Sequence, residues 1–186
     1  MKALILFSGG LDSTTLLGLA AKEYGSENLF ALTISYGQRH RKELEAAQAV
    51  AGYYGVEQVF LDLDEIFTYS NSSLLEHSTD EIPKGSYGEQ KKAGNSSLSS
   101  TYVPFRNGLF LSSAASVALS LGCGALYYGA HHDDWAGSAY PDCSPAFVEA
   151  MQKAICEGSG GEIEMKAPFV HWTKAQVVAE GIKSNA

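Results

Sequence analysis

The order of apolar and amphipathic segments constrains the fold of this sequence more than any other feature. Residues 3–7 are a continuous apolar run, as expected of a strand buried on both faces of a parallel sheet. Further strands are predicted at residues 29–36, 58–63, 125–130 and 162–167. Helical spacing of apolar residues falls between and after them, at 14–24, 41–54, 107–121, 145–156 and from 173 onward. Because parallel strands need crossovers, the sequence predicts one α/β domain over residues 1–186, a five-stranded parallel sheet with helices on both faces.

Charge and composition favour a small-molecule substrate over a nucleic acid. The 186 residues include 13 basic and 21 acidic side chains, which leaves a formal net charge of −8. Binding along a nucleic-acid backbone is rewarded by clustered Lys and Arg, and this chain has the opposite balance. We therefore expect no nucleic-acid partner. The sequence leaves the oligomeric state open, a homodimer included.

The cysteines and the longest uncharged run give no sign of an oxidising or membrane environment. Cys123, Cys143 and Cys156 are far apart and form no C-x-x-C pair, so neither a disulfide framework nor a zinc finger is indicated. Residues 109–130 carry no charge, but four serines interrupt them and Gly122-Cys123-Gly124 breaks them, which favours a buried helix followed by a buried strand. We expect a cytoplasmic protein with reduced thiols and no membrane partner.

The sharpest local signal is the glycine loop, residues 8–13, with the sequence Ser-Gly-Gly-Leu-Asp-Ser. It lies between the first predicted strand and the first predicted helix, where backbone N–H groups and the helix N-terminus favour an anion. No Gly-Lys-Ser/Thr follows, so this is not a Walker A loop. A plain glycine turn with Asp12 or Ser13 as the helix N-cap is the alternative, and the six-residue string favours phosphate binding.

Four polar loops follow predicted strands: the glycine loop, residues 36–41, the region leading to Arg106, and residues 131–143. Ligands of an open parallel sheet bind beyond the carboxyl ends of the strands, so we expect these loops to form one active site. Arg39 and Arg106 suit bidentate contacts with phosphate, although each is also compatible with an ordinary surface arginine.

With its Ser-Gly-Gly-Leu-Asp-Ser string the chain resembles the PP-loop ATP pyrophosphatases, and more narrowly the 7-cyano-7-deazaguanine synthase (QueC) family. Three further strings carry the resemblance: Tyr-Gly-Gln-Arg-His at 36–40, Thr-Tyr-Val-Pro-Phe-Arg-Asn at 101–107, and Tyr-Pro-Asp-Cys at 140–143. The resemblance implies an adenine-α-hydrolase-like sheet of strand order 3-2-1-4-5. It also implies a cytoplasmic, ATP-dependent ligase that converts 7-carboxy-7-deazaguanine and ammonia to the nitrile, a step towards queuosine.

The resemblance also implies roles for individual residues. Binding of ATP is expected at the start of the chain, with Asp12 as an Mg²⁺ contact: Phe7, Ser8, Gly9, Gly10, Leu11, Asp12, Ser13, Thr14 and Thr15. Catalytic roles fall on Asp12, Arg39, Arg106 and Asp133. Contacts to the deazapurine substrate fall on Tyr36, Gln38, His40, Asn107, Tyr140 and Asp142. For Asp142, N-capping of the helix after Pro141 is an equal alternative.

Two departures from the family pattern accompany these expectations. Family members carry a zinc-binding cysteine cluster near the C-terminus, and no cysteines of this chain match it, so no metal ligand is assigned and a chain truncated before a zinc module is expected. The stretch from His131 to Tyr140 is also longer than the pattern leads us to expect, which affects the assignment of Asp133. Residues 68–100, long and polar, are expected to form a lid over the substrate.

The alternatives differ in what they require of the sequence. A tRNA thiolase would favour a basic surface and a C-x-x-C pair, and a glutamine-fed synthetase would need a glutaminase domain that 186 residues cannot hold. Ammonia is therefore the expected nitrogen donor. Another PP-loop ligase and a nucleotide-binding sensor on the same fold remain the competing hypotheses.

Overall fold

The chain folds around a parallel sheet, which the computed structural model describes over residues 1–39, 42–80, 99–136 and 140–186. Its strands are β1 (Lys2–Leu6), β2 (Leu29–Ser35), β3 (Glu57–Asp62), β4 (Cys123–Tyr127) and β5 (Glu164–Lys166). All of them pair in parallel, in the order β3-β2-β1-β4-β5, which confirms the expected order 3-2-1-4-5. The predicted substrate contact His40, and residues 81–98 of the predicted lid, lie outside the described residues.

Six α-helices connect and follow the strands in the part of the chain that the structure describes. They are α1 (Leu11–Tyr24), α2 (Lys42–Tyr54), α3 (Arg106–Ser120), α4 (His132–Trp135), α5 (Pro145–Gly158) and α6 (Lys174–Ser184). Short 3₁₀ turns occur at Ser26–Asn28, Asp64–Phe67 and Pro141–Cys143. Within the described ranges no helix has the length and apolar character needed to cross a bilayer.

The helices cover both faces of the sheet because the strands are apolar on both faces. Ala3, Leu4 and Ile5 of β1 are fully buried, and their side chains alternate between two hydrophobic clusters. Leu4 belongs to the cluster formed with α3 and α5, whereas Ala3 and Ile5 belong to the cluster formed with α1, α2 and α6. This arrangement confirms the predicted α/β fold with helices on both faces.

Strand β1 occupies the centre of the sheet, and the course of the chain reverses there. The chain first moves outward from β1 to β2 and β3, then returns to β4 and β5 on the other side of β1. The loops that leave the carboxyl ends of β1 and β4 therefore diverge and leave a crevice between them, which is where open α/β sheets bind ligands.

The glycine loop passes close to helix α2 at Gly9. Gly9 has a φ of +76°, and a Cβ atom placed on it would lie 2.6 Å from the backbone N and Cα of Ala47. Ala47 is fully buried, and these backbone atoms cannot rotate away as the end of a side chain can. Both the backbone conformation and the packing thus require glycine at this position.

Substitution of Gly9 therefore tests how firmly α2 fixes the glycine loop. Gly37→Ala is the matched control, because Gly37 has the same φ of +76° and nothing within 4 Å of its Cβ position. We expect Gly37→Ala to lower the free energy of unfolding by about 1 kcal/mol through the left-handed backbone alone. Gly9→Ala should lower it by a further ~1–3 kcal/mol through overpacking, as measured by urea denaturation. Equal losses would contradict the close approach to Ala47.

Candidate active site

A cavity of about 410 Å³ opens at the carboxyl ends of the central strands. The predicted site residues that line it are Phe7, Ser8, Asp12, Ser13, Tyr36, Gln38, Arg106, Asn107 and Tyr140. Residues that were not predicted also contribute, among them Leu6, Thr33, Ile34, Glu43, Phe110, Tyr128, Asp134 and Cys143. Segments more than 100 residues apart in the sequence thus meet in one crevice, next to the glycine loop.

The glycine loop is shaped by its own serine hydroxyls. The Ser13 hydroxyl donates a hydrogen bond to the Gly10 carbonyl (3.0 Å) and accepts one from the Ser8 backbone N–H (3.3 Å). Helix α1 begins at Leu11 with Gly10 as its N-cap, and no side chain caps it. The alternative of a turn capped by Asp12 or Ser13 is therefore wrong. The N–H groups of the first turn are left available to an anion at the positive end of the helix.

One oxygen of the Asp12 carboxylate has partners, and the other has none among the described residues. Its Oδ2 atom lies 2.6 Å from Lys174 Nζ and 3.6 Å from His131 Nε2. Its Oδ1 atom is buried and has no hydrogen-bond partner in the described part of the chain. Burial raises the pKa of Asp12, but the hydrogen bonds with His131 and Lys174 outweigh burial, so the pKa lies below its ordinary value. Asp12 is therefore ionised at neutral pH.

An unpartnered carboxylate oxygen beside the glycine loop fits a magnesium ligand. Mg²⁺ in nucleotide sites is held by one or two carboxylates together with phosphate oxygens and water, so it does not require a cage of protein side chains. The donor set here, Asp12 Oδ1 next to the N-terminus of α1, meets that requirement.

Of the two adjacent acids at the end of β4, Asp134 rather than Asp133 lies in the cavity. Asp133 Oδ2 accepts a hydrogen bond from the backbone N–H of Lys174 (2.9 Å), and its Oδ1 lies 3.1 Å from His132 Nδ1. Asp134 lines the cavity, and burial, the largest influence on it, raises its pKa above the ordinary value. The predicted catalytic residue Asp133 thus holds the first turn of α6 instead.

His131 connects the two cavity acids. Its Nε2 atom lies 3.6 Å from Asp12 Oδ2 and 3.5 Å from Asp134 Oδ1. Burial lowers the pKa of His131, but the interactions with both carboxylates outweigh burial and raise it above 6.5. A protonated imidazole between two carboxylates keeps like charges from repelling one another. The contribution of protonated His131 to folding stability is fully present below pH 6.5, and it is lost as the pH rises through the folded-state pKa of His131.

Arg106 contributes a cation to the lining of the cavity. Its Nη1 atom donates to the Tyr36 hydroxyl (3.0 Å), and its guanidinium lies 5.0 Å from the centre of the Tyr36 ring. Tyr36 in turn packs edge to face against Phe110. Phe105, the N-cap of α3, adopts a left-handed conformation with a φ of 52°, so the chain turns abruptly and α3 starts with Arg106 at the cavity. Such a backbone outlier is frequent at functional sites.

Asp142 is not the N-cap of the helix after Pro141, and its predicted contact with the substrate stays a prediction. Its Oδ2 atom accepts a hydrogen bond from the backbone N–H of Asn107 (3.0 Å) in the first turn of α3, and it is not part of the cavity lining. The helix after Pro141 is capped instead by Ser144, whose hydroxyl accepts from Phe147 N–H. Burial is the main cause of the raised pKa of Asp142. The residue therefore fixes the start of α3, next to Arg106.

Other predicted residues take varied positions. Gln38 lines the cavity and accepts a hydrogen bond from Tyr36 N–H (2.9 Å), and Tyr140 is 2.6 Å from the Thr101 hydroxyl. Arg39 does not line the cavity, because its guanidinium donates to backbone carbonyls, those of Leu75, Ser78 and Asp80. Thr15 faces α6. Gly9, Gly10, Leu11 and Thr14 belong to the loop and first turn without lining the cavity.

The cysteines do not gather into a metal centre in the structure as described. Cys123 and Cys143 are buried, and Cys156 is exposed on α5. Across residues 1–39, 42–80, 99–136 and 140–186, no three His, Cys, Asp or Glu side chains form a group that would hold a metal by themselves. These residues therefore do not fit the zinc site of the family pattern, and no chemistry is assigned to zinc here.

The fold and the glycine loop define the class of the protein. Two solved structures share the fold, the U34-tRNA thiolase NcsA from Methanococcus maripaludis (TM-score 0.60) and an NMN synthetase from Francisella tularensis (TM-score 0.56). Each is 16% identical in sequence, and the alignment covers 98% and 99% of this chain but only 56% and 61% of those chains. This is the PP-loop fold.

Within that class, comparison of the sequence with known families and proteins identifies the family. The profile of the family described as "Queuosine biosynthesis protein QueC" matches residues 2–186, so this chain belongs to the QueC family. A relative from Hahella chejuensis is 40% identical over 183 residues, which are 97% of this chain and 74% of that protein. One from Oceanobacillus iheyensis is 40% identical over 187 residues, 99% of this chain and 79% of that protein. Both are named 7-cyano-7-deazaguanine synthase. The chain is therefore an enzyme.

The assignment of the cavity acid can be tested through the pKa of His131. Asp134→Asn removes a negative charge 3.5 Å from His131 Nε2, so we expect the pKa of His131 to fall. Asp133→Asn is the matched control, because it makes the same change one residue away on a carboxylate bonded to Lys174 N–H. NMR titration of the His131 imidazole should show the larger fall in Asp134→Asn. A larger fall in Asp133→Asn would contradict the geometry.

Proposed function

We propose that this enzyme is an ATP-dependent carbon–nitrogen ligase that converts 7-carboxy-7-deazaguanine and ammonia to 7-cyano-7-deazaguanine. Membership of the QueC family and the names of the relatives support the substrate. The observation that carries the proposal is that Asp12 and Ser13 of the glycine loop line the same cavity as Arg106. A nucleotide and an organic acid would meet in such a cavity.

ATP is proposed to bind with its phosphates on the glycine loop. The uncapped first turn of α1 offers N–H groups and the positive end of a helix, and the Ser13 hydroxyl keeps the loop in shape. Mg²⁺, held through Asp12 Oδ1, would neutralise phosphate charge and make the pyrophosphate a better leaving group. Leu6, Phe7, Thr33 and Ile34 line the adjoining part of the cavity and suit a flat purine ring.

ATP is needed because carboxylate oxygen is a poor leaving group. The substrate carboxylate attacks the α-phosphorus, pyrophosphate leaves, and ammonia then displaces AMP to give the amide with release of a proton. A second ATP activates the amide oxygen in the same way, and loss of AMP and a proton from the resulting imidate gives the nitrile. The overall cost is two ATP, converted to two AMP and two pyrophosphates, for each nitrile formed.

Two side chains that line the cavity suit the charges that develop during these reaction steps. The guanidinium of Arg106 suits an anion, either the substrate carboxylate or the α-phosphate of the activated intermediate. Asp134, a carboxylate whose pKa is raised mainly by burial, is suited to accept the proton that each nitrogen-forming step releases. Gln38, Asn107 and Tyr140 add polar groups for the edge of the deazapurine ring.

Product analysis tests the proposal. With Mg²⁺, ATP, 7-carboxy-7-deazaguanine and ammonium, mass spectrometry should detect the nitrile, and chromatography should detect two AMP for each nitrile. Pyrophosphate should be released only when the deazaguanine acid is present. The double variant Asp12→Ala, Ser13→Ala, checked for folding by circular dichroism, should bind no ATP by calorimetry and make no nitrile.

Each alternative predicts a different result in the same assay. A nucleotide-binding sensor would bind ATP without any pyrophosphate release that depends on the acid. Another PP-loop ligase would release pyrophosphate with a different acid and form no nitrile. Either result, or unchanged ATP affinity in the folded double variant, would contradict the proposed function.

A further inference from the structure

Lys174 approaches the glycine loop from the far end of the sequence. It is the first residue of α6, and its Nζ atom lies 2.6 Å from Asp12 Oδ2, although 162 positions separate the two residues. Asp12 belongs to the first turn of α1, whose N–H groups are available to phosphate. The ammonium of Lys174 is therefore next to the place where the triphosphate is proposed to bind.

The backbone of Lys174 is fixed from several directions. Thr173 and Gln176 form a capping box at the start of α6, and the Lys174 N–H donates to Asp133 Oδ2 (2.9 Å). Further along, α6 packs closely on α1, since a Cβ atom placed on Gly181 would lie 2.9 Å from Thr15 Oγ1. With its backbone fixed, Lys174 extends a flexible side chain that is about half exposed (48%).

We propose that Lys174 is a phosphate-binding residue of this ATP site, which contacts the triphosphate and then the departing pyrophosphate. The inference rests on the proposed function only in requiring that ATP bind at the glycine loop. A lysine ammonium carries three donors, and among the described residues only Asp12 Oδ2 is seen to engage one of them, which leaves two for phosphate oxygens. Asp133 then acts through Lys174 as a positioning residue.

Charge balance at the loop supports this role. Each activation step leaves a pyrophosphate with several negative charges beside ionised Asp12. Arg106, which lines the cavity, is bonded to the Tyr36 hydroxyl rather than to Asp12. Helix α6 thus supplies positive charge at the end of the cavity where pyrophosphate would form, and Lys is well suited to phosphate binding as a point charge.

The binding of pyrophosphate in magnesium-free buffer, measured by calorimetry on the whole chain, tests the proposal. We expect Lys174→Met to weaken pyrophosphate binding, and Mg·ATP binding in a parallel titration, by roughly 10- to 100-fold, the effect of losing one charge-assisted hydrogen bond. AMP affinity should remain within about twofold, because AMP lacks the β- and γ-phosphates. Lys174→Arg, which keeps the charge, should recover most of the affinity.

The matched control is Lys183→Met on the same helix. Lys183 pairs with Glu180 (3.5 Å) and is exposed, so the variant makes the same charge change outside the site and should bind pyrophosphate normally. Equal pyrophosphate affinity for Lys174→Met and the unaltered chain would overturn the proposal. So would an equal loss of AMP affinity, which indicates general damage to the site.

A further comparison separates direct contact from an effect through Asp12. If Lys174 only neutralised Asp12, Lys174→Met would have no effect in an Asp12→Asn background. If Lys174→Met still weakens pyrophosphate binding in that background, direct contact is supported. If the weakening disappears, direct contact is overturned. If the unaltered chain bound neither ATP nor pyrophosphate, the proposed function itself would fail, a result distinct from a failure confined to Lys174.

Discussion

Pairing of β1 with β2 on one side and with β4 on the other is the constraint on which the rest of the structure depends. Strand β1 is covered on both faces and paired at both edges. The glycine loop therefore leaves β1 between α2 and the end of β4. Gly9 passes against Ala47, and the turn after β4 brings His131 to within 3.6 Å of Asp12. The positions of the charged side chains thus follow from strand order.

Hydrogen bonds from loop carboxylates to helix N-termini position the two cationic side chains, Arg106 and Lys174. Asp142 holds the first turn of α3 and so fixes Arg106, while Asp133 holds the first turn of α6 and so fixes Lys174. In each case a carboxylate binds a backbone N–H at the start of a helix that presents a cation near the cavity. Helix N-termini are satisfied by acceptors in this way throughout proteins. Here the acceptors come from loops distant in sequence.

The sequence was sufficient to predict the fold and those parts of the site whose residues are adjacent in the chain. The apolar run at residues 3–7 and the alternation of predicted strands and helices predicted the parallel sheet, and the glycine loop was recognisable because its residues are adjacent. Asp133 was predicted as a catalytic residue, but its neighbour Asp134 lines the cavity. Neighbouring residues on a helical turn point in directions about 100° apart, and spacing alone does not orient the turn. The Ser144-Pro145 pair was an available capping signal, since Ser at the N-cap and Pro at N1 mark a helix start. Lys174 meets Asp12 only through packing of α6 on α1, which no local pattern contains.

We propose that the glycine loop and Asp12 form the phosphate end of an ATP site. A crystal structure with Mg²⁺ and α,β-methylene-ATP tests it most directly. We expect phosphate oxygens within hydrogen-bond distance of the first-turn N–H groups of α1, with the metal at Asp12 Oδ1. A nucleotide bound elsewhere, with no phosphate at residues 8–13, would contradict it.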